Sequence, residues 1–166
     1  MLNKFKEVVN SNTSIGHDGR GCGQIAVRSN IMANDLSKYG VIPRKSENTY
    51  LPSINQNFYS HLIRGIFDGD GSIIAKINPT SNKFLHSFSF CGTHKLMQDI
   101  SNCIYQELNL NQKPEVYDYK DKSLSEIKIQ NKEDMFQFGE WIYKNSNIYL
   151  QRKKDIYQNF KSYYNL

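Results

Sequence analysis

The stretch Ile63-Arg64-Gly65-Ile66-Phe67-Asp68-Gly69-Asp70-Gly71 constrains this chain more than any other. An apolar run that begins near Phe58 ends abruptly in Asp-Gly-Asp-Gly. A helix over that run stops on two carboxylates, where the partial negative charge of its last carbonyls disfavours acid. Such an end needs compensating positive charge, and a bound divalent cation is the obvious source. Gly65 and Gly69 stand four apart on one helical face. With no side chains there, a second helix can approach to backbone contact distance. The string therefore describes a paired helix that presents acid at its end. A plain turn after an ordinary helix is the blander reading of the same residues.

Several other classes of protein are excluded. The chain has 166 residues, 39% of them hydrophobic, enough for one domain with a moderate core. Its apolar runs fall far short of a membrane span, and no membrane partner is expected. The N-terminus Met1-Leu2-Asn3-Lys4-Phe5-Lys6-Glu7 lacks the apolar core of a signal peptide, so an intracellular, non-secreted protein is expected. Cys22, Cys91 and Cys103 are odd in number and widely spaced, which suits reduced thiols rather than disulfides or a zinc ribbon. An EF-hand loop starting at Asp68 would place Pro79 where its twelfth residue must be Glu. The glycines at 19, 21 and 23 precede no Lys-Ser or Lys-Thr, so there is no P-loop. A net charge of +5, eleven Tyr and nine Phe suit a polyanion such as nucleic acid, and equally suit an ordinary basic globular protein.

Periodicity orders the elements. Leu2, Phe5, Val8 and Val9 predict a short helix. Residues 14–23 read as a glycine-rich loop, and Gln24-Ile25-Ala26-Val27-Arg28 as a strand. Ser29 or Asn30 then caps a helix carrying Ile31, Leu36 and Tyr39, closed by Gly40. Residues 41–52 form a connector, and the acid-ended helix is predicted over about 57–69. Ile73, Ala75 and Ile77 alternate as a strand, followed by a turn over 78–82 and a strand carrying Phe84, Phe88 and Phe90. Leu96, Met97, Ile100, Ile104 and Leu108 define a helix. A second hairpin joins 115–119 to 124–129. Met135, Phe136, Gly139 and Ile142 mark one further helix, and Ile156, Phe160 and Tyr163 a last one. Antiparallel hairpins with segregated helices give an α+β domain whose sheet has one covered and one open face. On the open face alternation places Ile74, Lys76, Asn78, Ser87 and Ser89. Tyr117, Tyr119, Lys120, Lys122 and Lys128 extend that footprint on the second hairpin, with Arg152 beside it. Each is also an ordinary solvated residue of a sheet.

A weak internal repeat accompanies this order. Gln24-Ile25-Ala26-Val27-Arg28-Ser29-Asn30 parallels Glu126-Ile127-Lys128-Ile129-Gln130-Asn131, and Ile42-Pro43-Arg44-Lys45 parallels Leu150-Gln151-Arg152-Lys153. The glycine-acid string resembles the signature motif of the LAGLIDADG homing endonucleases, with Gly65 to Gly71 matching its core and Ser72-Ile73-Ile74 continuing as a family strand does. That resemblance implies two segments. Residues 1–55 are the back half of a repeat without its motif helix, and 56–166 are a complete αββαββα repeat with a curved antiparallel sheet on DNA. It implies a site-specific double-strand endonuclease of the mobile intron or intein type, using Mg²⁺ or Mn²⁺. Asp70 would be the catalytic metal ligand, and the Gly69 carbonyl a further ligand. Gly65 and Gly69 would line the motif-helix interface, with Asp68 capping the partner helix. Lys45 and Lys153 would lie beside the active centre, polarising water or meeting phosphate, and His94 would organise water at the end of the second strand. One intact motif is half a cleavage centre. Completion would come from a homodimer or from a second polypeptide that carries the missing motif. A DNA- or RNA-binding derivative without nuclease activity, such as a maturase-like factor or a regulator, is the alternative. A protein-interaction domain using the exposed motif helix is a third.

Overall fold

The computed structural model describes residues 1–42, 49–120 and 123–166, and three of the six α-helices among them begin at a capping side chain, Ser29, Thr93 or Asn131. The chain divides into two units, Met1–Ile42 and Pro43–Leu166. The first contains α1 (Leu2–Val8), β1 (Gly16–His17), β2 (Gly23–Gln24) and α2 (Asn30–Lys38). Ser29 is the cap of α2, its hydroxyl accepting the Met32 N–H. The Asp18 carboxylate accepts the N–H groups of Cys22 and Arg20 and so closes the β1–β2 hairpin. These bonds hold Asp18 below the usual carboxylate range, with the Arg20 side chain adding to them. The strand expected over 24–28 is a single ladder step, because only Gly23 and Gln24 find partners, in His17 and Gly16. Residues 25–28 meet no neighbouring strand among the described residues, and an apolar run without a ladder stays irregular. No described residue of this unit is buried. Val8 is 71% and Ile31 78% exposed.

In the second unit a single 3₁₀ turn, Gln56–Phe58, is capped by Asn55 and leads into α3 (Tyr59–Asp70). There follow β3 (Ser72–Ile77), β4 (Phe84–Gly92), α4 (His94–Leu108), β5 (Val116–Asp118), β6 (Ser125–Ile129), α5 (Lys132–Tyr143) and α6 (Gln151–Tyr164). The strands form one antiparallel sheet in the order β3-β4-β6-β5. The two hairpins meet along β4 and β6, which pair from Phe88↔Ile129 to Gly92↔Ser125. Helices cover the face that carries Ile73, Phe88, Phe90, Ile127 and Ile129. Phe67 of α3 sits at the centre of that layer, its ring centroid 5.2 Å from Phe88, 5.6 Å from Phe90 and 6.4 Å from Phe138, all edge-on.

Two packing faces differ from expectation. α6 buries Lys153, Tyr157 and Phe160 rather than Ile156, Phe160 and Tyr163. The buried stripe is set by Gly139 of α5, where a Cβ would fall on the Tyr157 ring, so the two helices meet at that tyrosine. Tyr163 remains half exposed and stacks on Phe84 at 3.7 Å. Ile77, the last residue of edge strand β3, lies 54% exposed instead of joining Ile73 in the core.

Candidate active site

The acid-ended helix is compensated from within the chain. α3 runs through Asp70, and Gly71 leaves in an extended conformation while its N–H closes the last turn on the Phe67 carbonyl at 2.9 Å. A Cβ at Gly71 would collide with the Phe67 ring and carbonyl, so this exit requires glycine. Beneath it lies Lys153, 2% exposed. Its ammonium donates to the carbonyls of Phe67 (2.5 Å), Asp68 (3.1 Å) and Gly71 (2.5 Å). An ammonium has three protons, and three carbonyls take them. The cation that the sequence demands at this helix end is therefore a lysine. Burial pulls the Lys153 pKa down and Arg152 adds to this, while Asp68 and Asp70 oppose it. The expectation that Lys153 polarises water is corrected, since its donors are spent on the backbone.

Asp68 also turns inward, and its expected place at the motif-helix interface is corrected. Its Oδ2 accepts the N–H of Leu150, the first residue of α6's N-terminus and one without a capping side chain of its own. Its Oδ1 is sealed from solvent with no hydrogen-bond partner among the described residues. Burial raises the Asp68 pKa, against the Leu150 N–H, Lys153, Arg64 and Arg152. Arg64, 8% exposed, donates from Nε to the Ile148 carbonyl and from Nη1 to the Ile142 carbonyl, each at 2.9 Å. The reason is local. Positions 64 and 68 share one helical face, and that face looks onto the end of α5 and the start of α6.

Asp70 stands outside this clasp. Its side chain is exposed and makes no hydrogen bond or ion pair among the described residues. Gly65 and Gly69 are exposed too, and a Cβ at either would meet nothing within 4 Å, so an open lane runs along α3 to the acid. No group of three His, Cys, Asp or Glu that could hold a metal exists among the described residues. One chain thus offers the Asp70 carboxylate and the Gly69 carbonyl, which Lys153 does not take. That set fits part of a magnesium shell, an ion that usually keeps several waters and adds substrate phosphates to one or two carboxylates. Lys45 lies outside the described residues, as does Lys122.

The open sheet face presents Ile74, Lys76, Tyr117, Tyr119, Lys120 and Lys128 exposed, with Arg152 exposed at the start of α6. Ser87 is corrected. It is 7% exposed, a short side chain set among Leu85, Ser89 and, across the ladder, Ile74. Ser89 is only partly exposed. Asn78 is partly exposed, and its Oδ1 accepts the Thr80 and Ser81 N–H groups and caps the hairpin turn. His94 lies two residues past the end of β4, as the first residue of α4. Its Nδ1 lies 2.8 Å from Asp118 Oδ1, which also accepts the Ser125 hydroxyl at 2.6 Å. The His94 bond and then that of Ser125 hold Asp118 below the usual carboxylate range. Sequence reasoning missed two acids on this face. Glu126 accepts the Tyr119 hydroxyl at 2.7 Å and pairs with Lys128 at 2.9 Å, and Glu115 accepts the Tyr117 hydroxyl at 2.9 Å. The signal was present for Glu126, since it is two residues from Lys128 and so shares its face.

No family model matches this chain, and no curated protein matches it in sequence. Among solved structures, the I-LtrWI LAGLIDADG homing endonuclease bound to target DNA is similar, with a TM-score of 0.52 and 17% identity over 66% of this chain and 38% of that one. The group I intron-encoded homing endonuclease I-CeuI complexed with DNA gives 0.48 and 15% over 80% and 65%. The homing endonuclease I-TnaI gives 0.47 and 15% over 62% and 69%. The present chain matches well under half the length of I-LtrWI. The α+β architecture, with its antiparallel sheet and acid-ended helix, is the LAGLIDADG homing-endonuclease fold.

Proposed function

We propose that this chain is one working half of a site-specific, metal-dependent double-strand DNA endonuclease. The single observation that carries the reading is the helix end, where an exposed carboxylate at Asp70 stands beside an unobstructed glycine lane at Gly65 and Gly69. Asp70 and the Gly69 carbonyl would hold Mg²⁺ or Mn²⁺. When bound, such an ion activates water and neutralises charge building up on a phosphate. The chain's own contributions are positional. The glycine lane admits a second motif helix and with it a second acid. The open sheet, through Lys76, Tyr117, Tyr119, Lys120 and Lys128, receives the duplex, and Arg152 meets phosphate near the helix end.

A single exposed acid at the end of α3 calls for a partner, either a second copy or a polypeptide with the missing motif. A second copy predicts a near-palindromic target. In this reading residues 1–55 are the back half of an incomplete repeat. A mobile intron or intein origin and an intracellular setting are parts of the same proposal.

The test is incubation of the chain, alone and with a polypeptide that carries the missing motif, with duplex DNA carrying a randomised insert, in Mg²⁺ or Mn²⁺. Site-restricted cleavage is expected, and Asp70→Asn is expected to abolish it while keeping DNA affinity within about twofold, since a neutral isostere leaves the basic face unchanged. Undiminished cutting by Asp70→Asn would remove the assignment. One alternative is a binding-only derivative, for which the same exposed basic sheet face would serve. It predicts sequence-selective DNA or RNA binding with no cleavage under any partner or metal.

A further inference from the structure

The ammonium of Lys153 is anchored on both sides of Asp70. Two of its acceptors, the carbonyls of Phe67 and Asp68, precede that residue, and the third, the carbonyl of Gly71, follows it. In a continuing helix the Asp68 carbonyl would take the amide of residue 72. The extended backbone at Gly71 removes that donor, and Lys153 stands in its place. The lysine is itself fixed, buried on α6 with Nζ 4.7 Å from the centroid of the Phe67 ring. The N-terminus of α6 that carries it is tied to the same turn by the Leu150 N–H on Asp68. Backbone on either side of residue 70 is thus held to α6, while the Asp70 carboxylate alone projects to solvent.

We propose that Lys153 is a positioning residue for the Asp70 carboxylate. With its three protons on backbone carbonyls, it has none to give to a water or a phosphate oxygen. It acts by fixing where the acid leaves the surface and by neutralising the carbonyl end of α3. This rests on the reading of Asp70 as a metal-holding acid. A consequence separates the role from proton donation. Loss of the ammonium weakens the gathering of a divalent ion at Asp70 and loosens the 68–72 backbone, before any DNA is bound.

The experiment uses the full chain, labelled with ¹⁵N, and Mn²⁺ alone as probe. Paramagnetic broadening of the amide signals of residues 69–72 reports ion binding, and Asp70→Asn supplies the reference in which it is lost. Lys153→Met keeps the stem and removes the donors. It is expected to raise the Mn²⁺ concentration for half-maximal broadening by about tenfold or more, the usual effect of losing an outer-shell support. It should also speed hydrogen exchange at Gly71 and Ser72 while leaving β6 and α5 amides unchanged. Lys153→Arg retains the charge, but its planar fork cannot point three protons into three converging carbonyls, so it should shift both readouts the same way. Should Lys153→Met fail to fold, Lys153→Arg decides. Wild-type Mn²⁺ affinity and wild-type exchange at residues 71 and 72 in the folded variants, with only the pH profile of cleavage altered, overturn the proposal in favour of proton donation. If the wild-type chain shows no Asp70-dependent broadening, the metal reading itself fails and this proposal falls with it.

Discussion

At the residue scale, four glycines do two opposite jobs. Gly71 and Gly139 face side chains or backbone at distances no Cβ can occupy, whereas Gly65 and Gly69 face open space. Gly71→Ala and Gly139→Ala should each destabilise the chain by about 1–3 kcal/mol, the usual range for overpacking, measured by urea unfolding. Gly65→Ala and Gly69→Ala should instead stabilise the lone chain by about 0.5–1 kcal/mol, because alanine suits a helix interior better than glycine. The same two variants should abolish cleavage by blocking helix pairing. If both cut normally, the glycine lane is not an interface. Their spacing was legible in the sequence, as was the conflict between acid and helix end. What resolves the conflict was not. Lys153 is 82 residues beyond Gly71, and nothing in a local pattern says that a lysine will be buried. The Asp118 network adds a pH dependence. Its carboxyl is depressed in the folded state, so the stabilisation it gives is present above the ordinary carboxylate pKa and is lost as pH falls through the lowered folded value. A carboxyl-detected NMR titration should show Asp118 protonating below the ordinary range, and His94→Gln should move that midpoint upward.

At the scale of elements, the open question is what holds α3 in place when one of its faces is left bare. Its inner face has Phe67 in the aromatic layer, and Arg64 reaches two carbonyls at the end of α5 and in the loop before α6. Arg64→Met would keep the stem and leave both carbonyls without that donor. A loss of roughly 2–4 kcal/mol is expected, since charge-assisted bonds to buried acceptors are involved. Unfolding midpoints in urea measure it, and a change below 0.5 kcal/mol, about the size of an ordinary surface substitution, would show that the tether is incidental. Element order in the second unit followed from periodicity, and the faces of most strand residues from alternation, because each strand of the sheet has a covered side and a solvent side. Two element readings failed for one reason. The ladder at 24–28 and the stripe on α6 both depend on a neighbour distant in sequence, a partner strand not found among the described residues in one case and the Gly139–Tyr157 contact in the other.

At the scale of the whole molecule, the two units differ in what sustains them. The Pro43–Leu166 unit surrounds a continuous core from Ile63 to Phe160. The Met1–Ile42 unit has no buried residue among those described, yet its two helices and the C-cap of α2 carry Phe5, Val8, Ile31, Leu36 and Tyr39 at 40–78% exposure. Helices of seven and nine residues are too short to persist on intrinsic propensity alone. Their stability must come from packing, and little of it is visible within the unit. Native-state hydrogen exchange should therefore show α1 and α2 amides exchanging through local opening, with protection close to that of unstructured chain. Amides of β4, β6 and α5 should exchange only through global unfolding. A chain in which this unit is the back half of an incomplete repeat carries a second expectation. Adding a polypeptide that supplies a motif helix and its hairpin should slow exchange in α1 and α2 together with that along the outer face of α3. If protection rises on α3 alone, the pairing is by the glycine lane and the first unit is no part of it. If α1 and α2 are already as protected as β6 in the isolated chain, the unit is stable by itself and the half-repeat account is wrong.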